Sequence, residues 1–466
     1  MMLVAGVDSS TQSCKVVVCD SDSGKVLRQG RIPHPDGTEV PAEAWWDALT
    51  VAGDGLFDGV AAVSVAAQQH GLVALDADGV PVRDALLWND TRSAAAAADL
   101  VAEFGGPRAW AEAVGSVPLA AHTVAKLRWV ADHEPALADR VARVLLPHDY
   151  LTWRLRGGTV DIEPTTDRGD ASGTGYWSPF DGRYREDLVA LAFRGRWPQL
   201  PRVLGPAEAA GQTPDRVLVA PGTGDNAAAA LGLGLADGDV VVSLGTSGTV
   251  FTRSRRPSTD STGAVNGFAD ATGAYLPLVC TLNAARVLEA MAALLSVPLA
   301  DMETLARQSV PGARGLTMLP YLTGERTPNL PDATGTLHGL TPDSMHPSHL
   351  ARAGIEGMLC SLADALDCLR ATGVEPRRVL LVGGAAANPL VADIAAQIFD
   401  LAISVPEPGE YVALGAARQA AWVLTETPEP PSWPVPSVRE IPPPPGDSGR
   451  QIRSRYGDLR RRVHDL

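Results

Sequence analysis

The spacing of apolar and polar positions predicts alternating strands and helices. Residues 2–7 and 14–20 are short apolar runs joined by a polar, hydroxyl-rich turn, 8–13, and the Ser21-Asp22-Ser23-Gly24 step opens a further hairpin. A strand over 60–66 and a hairpin over 72–82 follow, then helical periodicity over 93–103, 121–133 and 149–156. Residues 217–220 read as a strand that runs through Pro221-Gly222-Thr223-Gly224 into an Ala-rich helix starting near Asp225. The opening pattern then returns: strand 240–243, turn 244–248, strand 249–252. Two such units about 235 residues apart predict a duplicated domain. Long amphipathic helices are predicted over 282–295 and 348–371, a strand ending in Gly-Gly over 377–384, and a last helix over 414–424. Prolines crowd residues 425–445, which read as an extended tail outside the core. The class is α/β, with domains expected at 1–236 and 237–424 and a Pro-rich, basic tail at 425–466.

Composition narrows the function. A chain of 466 residues, 45% hydrophobic and 20% charged, is long enough for two cores and typical of a soluble globular protein. A net charge of −15 argues against a nucleic-acid partner. No uncharged run reaches the roughly 18–20 residues of a membrane helix, and the apolar start lacks a basic leader and a cleavage site, so a cytoplasmic protein with no membrane partner is expected. Cys14, Cys19, Cys280, Cys360 and Cys368 lie mostly in apolar segments without CxxC spacing, as small core residues do. The Arg460–Arg462 cluster reads as solvated or locally paired. Lysine occurs only at positions 15, 25 and 126.

Several nucleotide and hydrolase signatures are absent. The Gly24-Lys25 pair lacks the rest of a P-loop, no G-x-G-x-x-G opens a helix after a strand, and HExxH and G-x-S-x-G do not occur. What remains is a pair of tight turns, Asp8-Ser9-Ser10-Thr11-Gln12-Ser13 and Ser243-Leu244-Gly245-Thr246-Ser247-Gly248. Each is an ordinary hairpin turn or an anion nest, and an Asp beside a nest can hold hydrated Mg²⁺.

Ten collinear segments give the chain a resemblance to the FGGY carbohydrate kinases, from about residue 3 to about 424. They are VDSSTQSCK (7–15), AQQHG (67–71), LLWND with Arg92 (86–92), LLPHDYL (145–151), GDASGT (169–174), GTGDNAAAALG (222–232), SLGTSG (243–248), LPYLTGERTP (319–328), VGGAAANP (382–389) and ALGAAR (413–418). The resemblance implies two duplicated actin-like ATPase (ribonuclease H-like) domains with ATP and sugar in an interdomain cleft. It also implies transfer of the ATP γ-phosphate to a sugar, nearest to the members that phosphorylate D-xylulose. Ribulose, a deoxypentulose such as deoxyxylulose, glycerol or gluconate are the alternative acceptors, and a non-catalytic actin-like nucleotide-binding protein is the alternative from another class.

The resemblance also assigns roles. Asp225 matches the catalytic base and contacts the sugar; as a helix-start carboxylate it is also a natural N-cap, and the macrodipole favours its anion. Asp8 matches the second essential carboxylate, on the Mg²⁺ and phosphates, and is otherwise a turn-initiating Asx residue. Thr11, Ser13, Lys15, Thr246 and Ser247 would line the phosphate path, with Lys15 equally readable as an exposed strand lysine. Gln69 and His70 match the sugar-contacting pair, and Trp88, Asn89, Asp90 and Arg92 form a polar cluster beside an aromatic. Asp170 would help shape the sugar site. Gly383 and Gly384 would admit the adenine, with Asn388 and Gly324 near the nucleotide and Arg326 bracing or touching phosphate. Two departures stand out: Ser10 where many relatives carry glycine, and Gln69 where methionine is common. The chain's partners would then be ATP and a small sugar and, if it self-associates, a second copy in a homodimer.

Overall fold

The computed structural model describes residues 2–465. The chain divides into two compact units that interleave in sequence. Unit 1 comprises Met1–Leu235, Ser254–Pro277 and Gly409–Val435; unit 2 comprises Ala236–Arg253, Leu278–Pro408 and Pro436–Leu466.

Unit 1 is built on a mixed sheet. Strand β1 (Leu3–Ser9) pairs antiparallel with β2 (Ser13–Asp20), and β2 with β3 (Val26–Pro33). On its other side β1 runs parallel to β4 (Val60–Ala67), which pairs with β5 (Leu218–Val219) and, further along, with Thr223–Gly224. The run in β1 is almost wholly apolar because both faces are covered. Ala5 and Val7 pack with Trp45 and Leu49 of the Glu43–Ala52 helix, while Val4 packs with Ala413 and Ala417 of the Tyr411–Thr425 helix. Gly6 faces that second helix so closely that a Cβ there would overlap Ala413 and Ala417. Gly415 meets the backbone of the Asp225–Gly232 helix at Ala228 in the same way. The ALGAAR segment is therefore small because two helices and a strand touch at backbone distance.

Unit 2 repeats the arrangement. Strand β6 (Asp239–Leu244) pairs antiparallel with β7 (Gly248–Thr252), and β7 with residues 278–281 of β8 (Tyr275–Thr281). On its other side β6 is parallel to β9 (Arg378–Val382), and β9 to β10 (Ala402–Pro406). The order β3-β2-β1-β4-β5 of unit 1 thus recurs as β8-β7-β6-β9-β10. The 25-residue Pro347–Ala371 helix is buried along most of its length, and the Pro389–Phe399 helix packs beside it.

The compact units cut across the expected segments 1–236 and 237–424, and the expected tail needs correction. Residues 254–277 belong to unit 1 through the Gly267 N–H donating to the Gly115 carbonyl at 2.8 Å and the Ala269 N–H donating to Ser172 Oγ at 2.9 Å. The 411–425 helix belongs there as well, because its alanines fill one face of the β1–β4 sheet. The 425–466 segment is not an extended appendage. Trp433 is buried and its Nε1 donates to the Ser21 carbonyl. β11 (Ser437–Ile441) pairs antiparallel with β10, and the Ser448–His464 helix buries Ile452, Tyr456 and Leu459. Arg461 pairs locally with Asp458, whereas Arg460 reaches Asp364 on the Pro347–Ala371 helix. Among the described residues no helix is long and apolar enough to cross a membrane.

Candidate active site

Parallel pairing brings the predicted carboxylates together. Ser9 of β1 and Gly224 both pair with Ala67, from opposite sides of β4. Two strand spacings separate them, about 10 Å. Asp8 and Asp225 therefore stand at the same sheet end, outside the carboxyl ends of parallel strands, where open α/β sheets bind ligands. Gln69 and His70 follow β4 directly at that end.

Asp8 lies within β1 and not in the turn, which is confined to residues 10–12. It is buried; Ser10 Oγ donates to it and Lys15 Nζ approaches at 3.3 Å. Burial raises its carboxyl, and Lys15 opposes this. Lys15 is not an exposed strand lysine: it also pairs with Glu410 at 2.7 Å. Ser10 fills the glycine position of the turn by bonding Asp8. Thr11 accepts a 2.8 Å hydrogen bond from Trp88 Nε1, and Ser13 is buried at the start of β2. Among the described residues no group of three acidic, His or Cys side chains forms a metal cage. A nucleotide-borne Mg²⁺ needs only one or two carboxylates. Asp8, a buried oxygen donor that a cation would relieve, fits that requirement.

Asp225 is the first residue of its helix, and Gly224 occupies the N-cap position. Asn226 donates to Asp225 Oδ1 twice, from its backbone N–H and from Nδ2, each at 2.8 Å. The helix start alone would keep Asp225 ionised, but its surroundings outweigh it. Although part of its surface meets solvent, burial together with the negative charges of Asp8 and Asp170 lifts its carboxyl to about 7.

The residues expected at the sugar are held by specific contacts. Gln69 Oε1 accepts from Asn226 Nδ2 at 3.2 Å, and its side chain lies against Gly224, where a Cβ would come within 2.6 Å of Gln69 Cγ. His70 has a left-handed backbone (φ 67°). Its carbonyl accepts from Thr123 Oγ1 at 3.1 Å, its Nδ1 meets the Gly173 carbonyl at 2.7 Å, and its ring lies 4.9 Å from His122 and 5.5 Å from Phe268. Asn89 Oδ1 is a buried acceptor without a protein partner, as a sugar hydroxyl donor would require. Asp90 and Arg92 depart from the expected cluster. They bond each other, and Asp90 also takes Thr38 and Arg92 also takes Glu39, so they brace the loop.

In unit 2 the Thr246 carbonyl accepts from the N–H of Ala284 at 3.2 Å and the Gly245 carbonyl from that of Ala285 at 2.8 Å, at the N-cap and first residue of the Ala285–Leu295 helix. Thr246 is exposed and Ser247 half-buried. The two glycines after β9 differ. Gly383 (φ 94°) lies on Leu244, whose carbonyl oxygen would sit 2.7 Å from a Cβ, whereas nothing lies within 4 Å of a Cβ on Gly384. Gly384 is the open position. Asn388 is an N-cap: its side-chain oxygen accepts from the N–H of Leu390 at 3.0 Å and of Val391 at 3.4 Å, so only its NH₂ remains for a ligand. Gly324 (φ 72°) sits against Pro331 and its carbonyl accepts from Asn283 Nδ2 at 2.7 Å, which explains the glycine through the loop itself. Beside it Glu325 is buried and accepts from the N–H groups of Leu282 and Arg326.

Gln419 was not legible in the sequence. It accepts from Ser64 Oγ at 2.6 Å and donates to the Gly222 carbonyl at 3.1 Å, tying the 411–425 helix to the approach of Asp225. A polar residue on the Ala-rich face of that helix was its only signal.

One strand order occurring twice, each with a turn after its first strand, defines a two-domain α/β protein of the actin-like ATPase architecture. Family comparison agrees: residues 3–234 match the N-terminal domain and residues 240–424 the C-terminal domain of the FGGY family of carbohydrate kinases. The chain belongs to that family. It is 47% identical over 440 residues to a xylulose kinase of Streptomyces coelicolor, covering 91% of this chain and 88% of that protein. The Streptomyces rubiginosus xylulose kinase is likewise 47% identical, over 441 residues and the same shares of both chains. The crystal structure of xylulose kinase from Bifidobacterium adolescentis superposes with a TM-score of 0.92 at 42% identity, covering 98% of this chain and 99% of that one.

Proposed function

We propose that the protein phosphorylates D-xylulose at its 5-hydroxyl with ATP, using Asp225 as general base. The observation that carries this reading is the pair Asp8 and Asp225 on the two strands that flank β4 in parallel, with Gln69 and His70 following β4 between them. Two relatives 47% identical bear the name xylulose kinase, which favours this ketopentose over other acceptors.

In this reading Asp225 Oδ2 receives the hydroxyl proton as the sugar oxygen attacks the γ-phosphorus in line, and ADP leaves with the bridging oxygen's electrons. Asn226 holds the other carboxylate oxygen, Oδ1, which fixes the orientation of the base. A carboxyl near 7 is poised between binding the proton and releasing it at neutral pH. His70, Gln69, Asn89 and Trp88 would hold the sugar. Asp8 would hold Mg²⁺, with Lys15, Thr11 and Ser13 nearby; the ion, when bound, neutralises charge on the phosphates. In unit 2, Thr246 and Ser247 would serve the phosphates and Gly383 and Gly384 the adenine, with Asn388 and Gly324 beside it. A cytoplasmic location follows from dependence on ATP.

The test is ADP release across a panel of D-xylulose, ribulose, deoxyxylulose, glycerol and gluconate, run on the parent and on Asp225→Ala. Turnover confined to D-xylulose and lost in the variant supports the proposal. ADP release that ignores every sugar would sink it.

A further inference from the structure

We infer that His148 is a positioning residue for this reaction: braced between two buried carboxylates, it holds the 222–225 turn and the Gln69 side chain and so aims the Asp225 carboxylate. The inference rests on Asp225 being the base.

His148 is the second residue of the Pro147–Leu155 helix, and neither it nor Asp149 nor Asp170 has any exposed surface. Its Nδ1 lies 2.7 Å from Asp170 Oδ2 and its Nε2 lies 3.2 Å from Asp149 Oδ1. Nδ1 is at hydrogen-bonding geometry to Asp170, while Nε2 meets Asp149 without such geometry, so the second carboxyl acts on the ring by its charge. Burial opposes that charge, but the attraction of Asp149 and Asp170 prevails and holds the ring protonated to about 9. Removing the cation would leave buried carboxylates uncompensated.

From this ring two paths lead to Asp225. The first is steric. Gly222 (φ 78°) lies on the imidazole, where a Cβ would come within 2.5 Å of Cδ2, and the Gly222 carbonyl is gripped by Gln419. Thr223, the next residue, donates to Asp167 at 2.7 Å, and Asp167 caps the Arg168–Ser172 helix that carries Asp170. The second is polar. Asp170 Oδ1 is buried without a partner at hydrogen-bonding geometry, yet the Gln69 amide lies near enough to lower the Asp170 carboxyl against its burial. Gln69 in turn accepts from Asn226, which holds Asp225 Oδ1. Both paths end on the base, and the second passes through a residue proposed to touch the sugar.

The test is a double-mutant cycle between His148→Phe and Gln69→Ala, with kcat, both KM values and melting temperature measured on the full-length enzyme. His148→Phe keeps ring volume and removes both nitrogens. It should lower kcat about 100-fold, the scale of a small misplacement of a reacting group, with KM for ATP unchanged within about threefold. His148→Asn keeps a donor toward Asp170 and should recover about tenfold of that loss. The double variant should lose no more than about threefold beyond the worse single variant, because the two act in series. Parental kcat in a folded His148→Phe enzyme, or losses that simply multiply, would overturn the inference. If the Phe variant does not fold, the same cycle with His148→Asn decides. Should Asp225→Ala retain parental turnover, the base assignment fails as well; should it lose turnover while His148→Phe does not, only this inference falls.

Discussion

The two β-hairpins built on one plan carry different chemistry at equivalent positions. In β1 the next-to-last residue is Asp8, paired across to Lys15; in β6 it is Ser243, paired across to Thr249. After the neighbouring parallel strand, unit 1 offers Gln68, Gln69 and His70, whereas unit 2 offers Gly383 and Gly384. Unit 1 thus places charge and hydrogen-bonding side chains where unit 2 leaves bare backbone. On the function proposed above, the same scaffold would serve in one copy an acceptor that must be oriented and deprotonated. In the other copy the open Gly384 would suit a ligand that needs close backbone approach.

The sharpest way to break this contrast is to remove the base. Asp225→Ala should lower kcat by at least about 10³-fold with the melting temperature retained, as loss of a positioned base requires; steady-state kinetics and calorimetry check it. Asp8→Ala should cost about 100-fold in kcat, while Ser243→Ala, its counterpart, should stay within about threefold. Equal effects at the two positions would erase the distinction between the hairpins.

The pH profile tests the same asymmetry. Asp225 works as a base only when deprotonated, and its carboxyl is lifted to about 7, so kcat/KM should fall about tenfold per unit as pH drops below that value. A divalent cation on Asp8 would cancel one of the two negative charges lifting Asp225, so added Mg²⁺ should move the limb to lower pH. A limb that does not move would separate Asp8 from the metal.

In unit 2 the expected effects are smaller and fall on the nucleotide. Gly384→Val, placed in open space, should raise KM for ATP about fivefold with KM for the sugar and the melting temperature unchanged. Gly383→Val should lower the melting temperature instead, because its side chain would meet Leu244.

Local pattern revealed what local forces set. The duplicated hairpins were legible because apolar strands and hydroxyl-rich turns are decided by near neighbours, and the strand order agreed with the repeat. Asp225 at a helix start was legible for the same reason, through its Gly-Thr-Gly approach. Asn388 matches a family residue near the nucleotide, and the structure adds that it caps the Pro-led helix that follows, its oxygen serving that helix. Lys15 could not be placed from sequence because Glu410, one of its two partners, lies in the third segment of unit 1.

The sequence by itself determined the α/β class and the internal repeat, since these depend on periodicity and turn chemistry within a few residues, and its resemblance to a kinase family singled out the two carboxylates. Only the tertiary structure decided that residues 254–277 and 409–435 complete the first unit and that residues 437–464 complete the second. It alone set the acidity of Asp225, because burial and the charges of Asp8 and Asp170 arise from segments separated by tens to hundreds of residues, and no local pattern encodes their approach.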